Sequence, residues 1–562
     1  MATVRRFQLA RNLPKWLYSK KRKGAFDKTV KNASSTNLNA SHQDLVSKCP
    51  FDKSQPSAGA NTSTENSYMT SERVKYRPFH EIPGPKGLPI VGTLFDYIKK
   101  DGFGLNRLFK VQQTRSQEYG PIYREKLATV ESIVISDPIE YSKVVRADGK
   151  YPQRTELLPI MHYRKQKGMG LGLVNSQGEE WHRQRSVIGK KLLVPKEVQQ
   201  YIPSMNTVTD DFVQRLQQIR NHENGEVENM EHEMFKWALE SIGTVLFENR
   251  IGCFEDVPLA DAKDFIDHLL CFFKYMQTLV FGLPIYTIYP TKTYKQFEFH
   301  TDKVTAIGQK FVDKKVQSLN ETSSFIKNEE EGEKLSFLSY LLSSKYLTPQ
   351  EANSHVIDLM MGAVETTSTA TIWTLYCLAI NPNIQDNLYQ ELCKVFPTST
   401  EITADKLQHL PYLKACLKEM FRLYPITFTT SRILQEDIEV CGYHIPKGKH
   451  VQANLYGMGH DAKLFEDPEK FNPERWLRDG AHASMGMKIF SNMRFGHGAR
   501  MCIGRRIAEQ EIYIALVKIL KNFKLEYHHE PVEPVLNLVM TPDRPVKISF
   551  IPRTHLKTLD TE

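Results

Sequence analysis

The sequence predicts a single large domain, mainly α-helical with a small β portion. Three observations carry this reading. Apolar residues recur at helical spacing with short breaks from about residue 76 almost to the end. No stretch after residue 75 has the composition of a flexible linker. One long helix also carries clear signals at both of its ends. At its start, "TPQE" makes Thr348 an N-cap, puts Pro349 in the first turn and lets Glu351 close a capping box. The apolar-rich run lasts to Asn381, just before Pro382, and would span roughly 50 Å at about 1.5 Å per residue. The β portion is expected from short pieces such as "EVCGYHIPKGKHV", residues 439–451. "IPGPKGLPIVG", residues 82–92, imposes a stiff turn where the folded part begins. At 562 residues, 41% hydrophobic and 25% charged, the chain has an ordinary globular composition with ample material for one core.

The first residues read as an address. "MATVRRFQLARNLPKWLYSKKRKGAF", residues 1–26, holds eight Lys or Arg and no Asp or Glu, with bulky apolar groups between them. That is the composition of a mitochondrial transit peptide, with a solvated basic tail as the alternative. A signal sequence or anchor needs an unbroken apolar run, which these charges interrupt. The expected organisation is a transit peptide over 1–40, a Ser/Thr/Asn-rich disordered connector over 41–75 and the folded domain over 76–562. "YMQTLVFGLPIYTIYPT", residues 275–291, is too short to span a bilayer and is broken by Pro284. Its aromatics beside Lys292 and Lys295 favour an apolar loop dipping into one leaflet over a core segment.

Eight cysteines are scattered without a CxxC pair or zinc spacing, which argues for reduced thiols in a reducing compartment. A net charge of +9 suggests an acidic partner, a membrane surface or nucleic acid without choosing among them. No phosphate-cradling glycine loop, nicotinamide or flavin fingerprint, or iron–sulfur cysteine cluster is present.

The chemistry concentrates in "FGHGARMCIGRR", residues 495–506. The helical pattern after Cys502 places this cysteine at the beginning of a helix, where unpaired amides favour a thiolate. Gly496, Gly498 and Gly504 permit tight turns and close approach of a flat ligand. Arg500 offers a planar, permanently charged fork to an anionic group. A thiolate beneath a planar anionic cofactor points to haem iron with an axial cysteine. By itself, a buried structural cysteine in a glycine-rich loop remains the competing reading.

This stretch resembles the haem-binding signature of the cytochrome P450 family, whose fixed positions are filled by Phe495, Gly498, Arg500, Cys502 and Gly504. Arg494 stands where the family often has Pro. Further motifs follow the family's order. "EMFR" sets Glu419 and Arg422 three apart on one helix face. "FNPERW" supplies Arg475, which by resemblance joins them in a buried charge network. "WHRQR" places Trp181 and Arg185 on one helix face, both implied to meet a haem propionate, as is Arg432 in "TTSRIL". "MGAVETTS", residues 361–368, resembles the oxygen-activation segment, with Met361 where the family usually has Ala. Buried Thr and Glu are poor helix-interior choices unless something polar is needed, and a Thr hydroxyl can open the helix locally. The resemblance assigns Thr366 as proton donor or water organiser and Glu365 as the relay to solvent.

The resemblance covers residues 79–552 and implies the cytochrome P450 fold, haem b ligated by Cys502, and monooxygenation of a lipophilic substrate. Electrons must then come from outside. Lys414 and Lys418 match the lysines with which animal mitochondrial members dock a ferredoxin, itself served by an NADPH-dependent reductase, and Arg505 with Arg506 resembles the same subgroup. The implied location is the matrix side of the inner mitochondrial membrane, peripherally attached. The rival is an endoplasmic-reticulum form, which lacks its expected apolar anchor here. The pocket is expected to include Met360, Met361, Ile426 to Thr430 and the turn near Met540. A steroid or sterol hydroxylase is the first expectation. The alternatives are a xenobiotic-oxidising enzyme, a haem isomerase and a non-catalytic haem protein.

Overall fold

The computed structural model describes residues 76–98, 104–255, 259–321, 335–397, 401–477 and 484–553. The expected transit peptide and connector lie outside these residues.

Eight helices position the site: α1 (Leu158–Gln166), α2 (Gly178–Leu192), α3 (Met230–Phe247), α4 (Ala260–Phe281), α5 (Lys292–Glu321), α6 (Pro349–Ala379), α7 (Pro411–Leu423) and α8 (Arg505–Asn522). Helix α6 is the predicted long helix. Thr348 accepts from the Glu351 N–H and the Glu351 carboxylate accepts from the Thr348 N–H at 2.8 Å, closing the capping box. The helix packs against α3, α5, α7 and α8. From Thr367 to Ala379 every residue is buried, the signature of a helix running through a core.

Hydroxyl residues survive that burial because they bond their own helix. Ser368, Thr371 and Thr374 donate to the carbonyls of Val364, Thr367 and Ala370 at 2.7, 2.8 and 2.7 Å. The helix is continuous through this stretch. The expected local opening at Thr366 is therefore absent, because such i to i−4 bonds add to the ladder without displacing it.

The β portion is peripheral. A four-stranded sheet joins β1 (Ile122–Leu127), β2 (Val130–Ile135), β3 (Thr429–Ile433) and β4 (His450–Asn454) in the order β1-β2-β4-β3. Only the β2/β4 pair is parallel. A separate antiparallel pairing of Ile438–Val440 with Tyr443–Ile445 confirms the strands expected around residue 440. The 82–92 turn lies so close to β1 that a Cβ on Gly92 would stand 1.8 Å from the Lys126 carbonyl, and φ there is +60°. Only glycine meets both demands.

Among the described residues, no helix is long and apolar enough to cross a membrane. The 275–291 segment ends α4 and continues as a turn exposing Ile285, Ile288 and Tyr289.

Glu351 has a second role, since Arg183 of α2 forms an ion pair with it. Together Arg183 and the capping contact lower its pKa from 4.5 to about 2. Because the folded value lies below the ordinary one, this stabilisation is present above about pH 4.5 and fades as the pH falls towards 2. Glu351→Gln should therefore lower stability at pH 7 by about 1 kcal/mol, discounted for the pair's partial exposure. In denaturant titrations the gap to wild type should narrow below pH 4.5; a gap constant down to pH 3 would contradict the ion-pair account.

Candidate functional site

The cysteine loop is a tight turn leading into α8. The Gly496 N–H donates to the Met493 carbonyl at 2.7 Å, Met501 N–H to Gly498 at 3.0 Å and Cys502 N–H to Phe495 at 2.8 Å. Gly498 adopts φ +74°, and a Cβ there would come within 2.8 Å of Val145. Two residues after Cys502, Gly504 caps α8. Cys502 is accessible while its neighbour Ile503 is buried in the core. Although Cys502 is exposed, the protein packed around it partly desolvates the thiol and pushes it up, opposed by the Gly504 N–H and by Arg185, Arg154 and Arg505. The Gly504 amide at the helix start and the neighbouring guanidinium groups thus act against desolvation, in the direction that favours a thiolate.

Guanidinium groups surround this loop. Arg500 lies 4.0 Å over the Trp181 ring, donating to the Pro152 carbonyl at 2.9 Å, the Ser176 carbonyl at 2.8 Å and Gln177 Oε1 at 2.6 Å. Arg185 donates to the Met501 carbonyl at 2.6 Å. Arg154 donates to the Arg500 carbonyl, leaving its buried Nε without a partner. Arg432 bonds Asp148 at 2.6 Å and the His497 carbonyl at 2.6 Å. Burial, reinforced by mutual repulsion, lowers Arg154 to about 10 and Arg500 to about 9. Four arginines around one paired carboxylate make an anion-seeking site with an unsatisfied donor. This donor set fits the carboxylates of haem beside a cysteine ligand. Sequence reasoning missed Arg154, Asp148 and Gln177, which come from irregular segments or from outside any motif.

The predicted charge network is assembled. Glu419 and Arg422 are fully buried and bonded at 2.7 and 3.0 Å. Glu419 also accepts from Arg475 Nε at 3.1 Å, Trp476 Nε1 at 2.8 Å and the Asn472 N–H at 3.0 Å. Arg422 donates onward to the carbonyls of Gly459, Pro468 and Lys470.

On α6, the Thr366 hydroxyl lies 2.7 Å from the Gly362 carbonyl, which can only accept, so its hydrogen is committed there. Gly362 is exposed, and a Cβ on it would meet nothing within 4 Å. Packing does not require this glycine, which leaves open space beside the helix as its use. Glu365, expected as the relay to solvent, is buried. It is 2% exposed, its Oε2 has no partner, and burial alone drives its pKa far upward. Burial thus favours its neutral form, and one of its two carboxyl oxygens is enclosed without a partner.

Of the pocket residues expected, Met361 lines a cavity together with Gly362 and Leu538. Met360, Ile426 and Met540 are core, the Met540 carbonyl accepting from Trp373 at 2.9 Å. The four cations expected to dock a ferredoxin differ from one another. Arg506 is exposed, Arg505 pairs with Glu509 at 3.4 Å, and Lys414 and Lys418 are half-buried. Desolvation lowers the pKa of both lysines. Arg494, at the position expected as Pro, bonds Glu509 at 2.8 Å and braces the loop against α8. Phe495 packs on Phe421 of α7, their centroids 5.1 Å apart.

Comparison with known proteins agrees with this geometry. Residues 82–550 match the family described as Cytochrome P450, and the chain belongs to that family. It is 49% identical over 510 residues to Cytochrome P450 10 of Lymnaea stagnalis, spanning 90% of this chain and 91% of that one. The mitochondrial cholesterol side-chain cleavage enzyme of Ovis aries is 32% identical over 484 residues, spanning 85% and 90%. The mitochondrial sterol 26-hydroxylase of Rattus norvegicus is 31% identical over 498 residues, spanning 87% and 92%. The chain is a P450 monooxygenase of the mitochondrial type, in a family whose haem iron is held by a cysteine thiolate.

Removing one member of the buried network strands the rest. Glu419→Ala should cost about 3–5 kcal/mol, read as a fall in thermal midpoint and in the yield of haem-loaded protein. Stability within 1 kcal/mol of wild type would show that the network carries little.

Proposed function

We propose that this protein is a mitochondrial hydroxylase of steroid or sterol-type substrates that receives its electrons from an acidic ferredoxin. Cys502 would hold the haem iron, because it is the exposed cysteine among the described residues and sits in a glycine-permitted loop ringed by arginines. Trp181, Arg185, Arg154, Arg432 and Arg500 would hold the haem carboxylates. The haem, when bound, supplies dioxygen binding and O–O cleavage favoured by thiolate donation.

The remaining work falls to side chains. Thr366, its hydrogen committed to Gly362, turns oxygen lone pairs towards the open side of α6 and can order a water there. Glu365 supplies a proton held by burial, and delivers it only when water reaches that carboxyl. Arg506, with Arg505, Lys414 and Lys418 beside it, forms the basic face that steers the ferredoxin towards the cysteine side. The exposed Ile285, Ile288 and Tyr289 next to Lys292 support peripheral attachment to the matrix face of the inner membrane.

The observation that carries the reading is the Cys502 loop with its arginine ring, set in a chain related throughout its folded length to mitochondrial sterol oxidases. The test is reconstitution with ferredoxin and its reductase, followed by mass spectrometry of products from a steroid and lipid panel. Oxygen-18 should enter a product from dioxygen; turnover without dioxygen would remove the monooxygenase assignment. Cys502→Ala should abolish the red-shifted ferrous carbon monoxide band. Thr366→Ala should raise hydrogen peroxide released per NADPH consumed at least tenfold, and unchanged coupling would remove its role in proton delivery. Lys418→Gln and Arg506→Gln should each raise the ferredoxin KM several-fold at low ionic strength with the difference shrinking in high salt; a salt-independent effect would place docking elsewhere.

A further inference from the structure

Beside the first half of α6 lies a cavity whose walls are mostly apolar, with Ile160, Phe272, Phe273, Met276 and Ile357 among them. One end is polar. There Arg164 of α1 is 7% exposed and pairs through Nη2 with Asp358 of α6. Its Nη1 donates to the Gly170 carbonyl at 3.2 Å, while its Nε is buried without a partner. The backbone closes onto this pair. Gly172 has φ +72°, and a Cβ there would stand 2.0 Å from Arg164 Nη1 and 2.4 Å from Asp358 Oδ2. The ion pair is thereby held in one orientation at the cavity wall.

Two properties define what could bind. The pair neutralises itself, so the polar end offers a donor and an acceptor without net charge. A bound carboxylate or ammonium group would have to be desolvated against a balanced pair, whereas a neutral oxygen function can use the small part of the pair left open at the cavity wall, where the Asp358 side chain is 18% and the Arg164 side chain 8% exposed. Distance is the second property. Asp358 precedes Thr366 by eight residues on an uninterrupted helix, about 12 Å along its axis at about 1.5 Å per residue. Gly362 and Met361, between the two levels, line the same cavity.

We infer that Arg164 and Asp358 form a subsite for the neutral oxygen function, a hydroxyl or ketone, of an elongated apolar substrate. It holds that group about 12 Å from the carbon presented at the level of Thr366. This inference rests on the monooxygenase reading and adds the polarity, charge and length of the substrate to it. Arg164 and Asp358 are positioning residues and touch no reacting atom.

The experiment uses the haem-loaded protein and two matched pairs of probes, cholesterol with cholest-5-ene and hexadecan-1-ol with hexadecane, plus cholesterol sulfate as an anionic control. Binding is read from the substrate-induced shift of the haem absorption band. In at least one pair the alcohol should bind about tenfold more tightly than its hydrocarbon, and the sulfate more weakly than the alcohol. In Arg164→Met/Asp358→Leu that preference should fall below twofold, with the thiolate carbon monoxide band retained as proof of folding. Equal binding within both pairs in the wild type, binding of none of the probes, or a preference that survives the double substitution would each overturn the subsite. The wild-type comparison decides even if the double variant does not fold. Loss of the thiolate band in the wild type would instead overturn the haem reading, which separates the two failures.

Discussion

One buried carboxylate organises the cysteine side of this protein. Glu419 accepts from Arg422 twice and from Arg475, Trp476 and the Asn472 amide, so no lone pair of consequence is left unmet. The short helix turn at 473–476 would have little reason to hold its place without that anion. Arg422 extends the effect, because its outer donors collect carbonyls from Gly459, Pro468 and Lys470. A segment with little regular structure is thus pinned to α7, and α7 in turn carries Phe421 against Phe495 of the cysteine loop. In a low-dielectric interior such a set is stable only when complete.

The fold was legible where local chemistry and tertiary demand agree. Thr348, Pro349 and Glu351 write a helix start into four residues, and the structure closes that capping box. The Glu419, Arg422 and Arg475 set was legible because its members sit in recognisable motifs, although its stabilising contacts to main-chain carbonyls were not. Arg154, Gln177 and Asp148 lie in or beside loops without periodicity, and only the three-dimensional approach of those loops to the Arg500 segment gives them a role. The surroundings of Glu365 were illegible for a different reason. A motif gives a residue's place in the chain and says nothing of the solvent around it, and here the core closes over the carboxyl. Lys414 and Lys418 show the same limit, since helical spacing puts them on one face but leaves open how far that face is sunk.

Along α6, polarity is handled in two ways. The hydroxyl residues in its buried half return their hydrogen bonds to the helix itself. Asp358, nearer its start, instead meets a cation from another helix. The first arrangement makes the helix self-sufficient where it crosses the core. The second ties it to α1 at the wall of the cavity, so the charged part of that wall is set by tertiary structure.

The Arg183 to Glu351 pair has a mechanical side as well. It fastens α2 to the first turn of α6 with a directional contact between charges. On the other flank α5 touches α6 through Gly308, Ile357 and Met360, where the contacts are apolar and have no preferred direction. A wall held by oriented charges resists sliding, while one held by apolar packing can shear without losing specific bonds. Of the two flanks of α6, the one fastened to α2 is therefore the stiffer, and the one against α5 has no directional bond among these contacts to resist sliding.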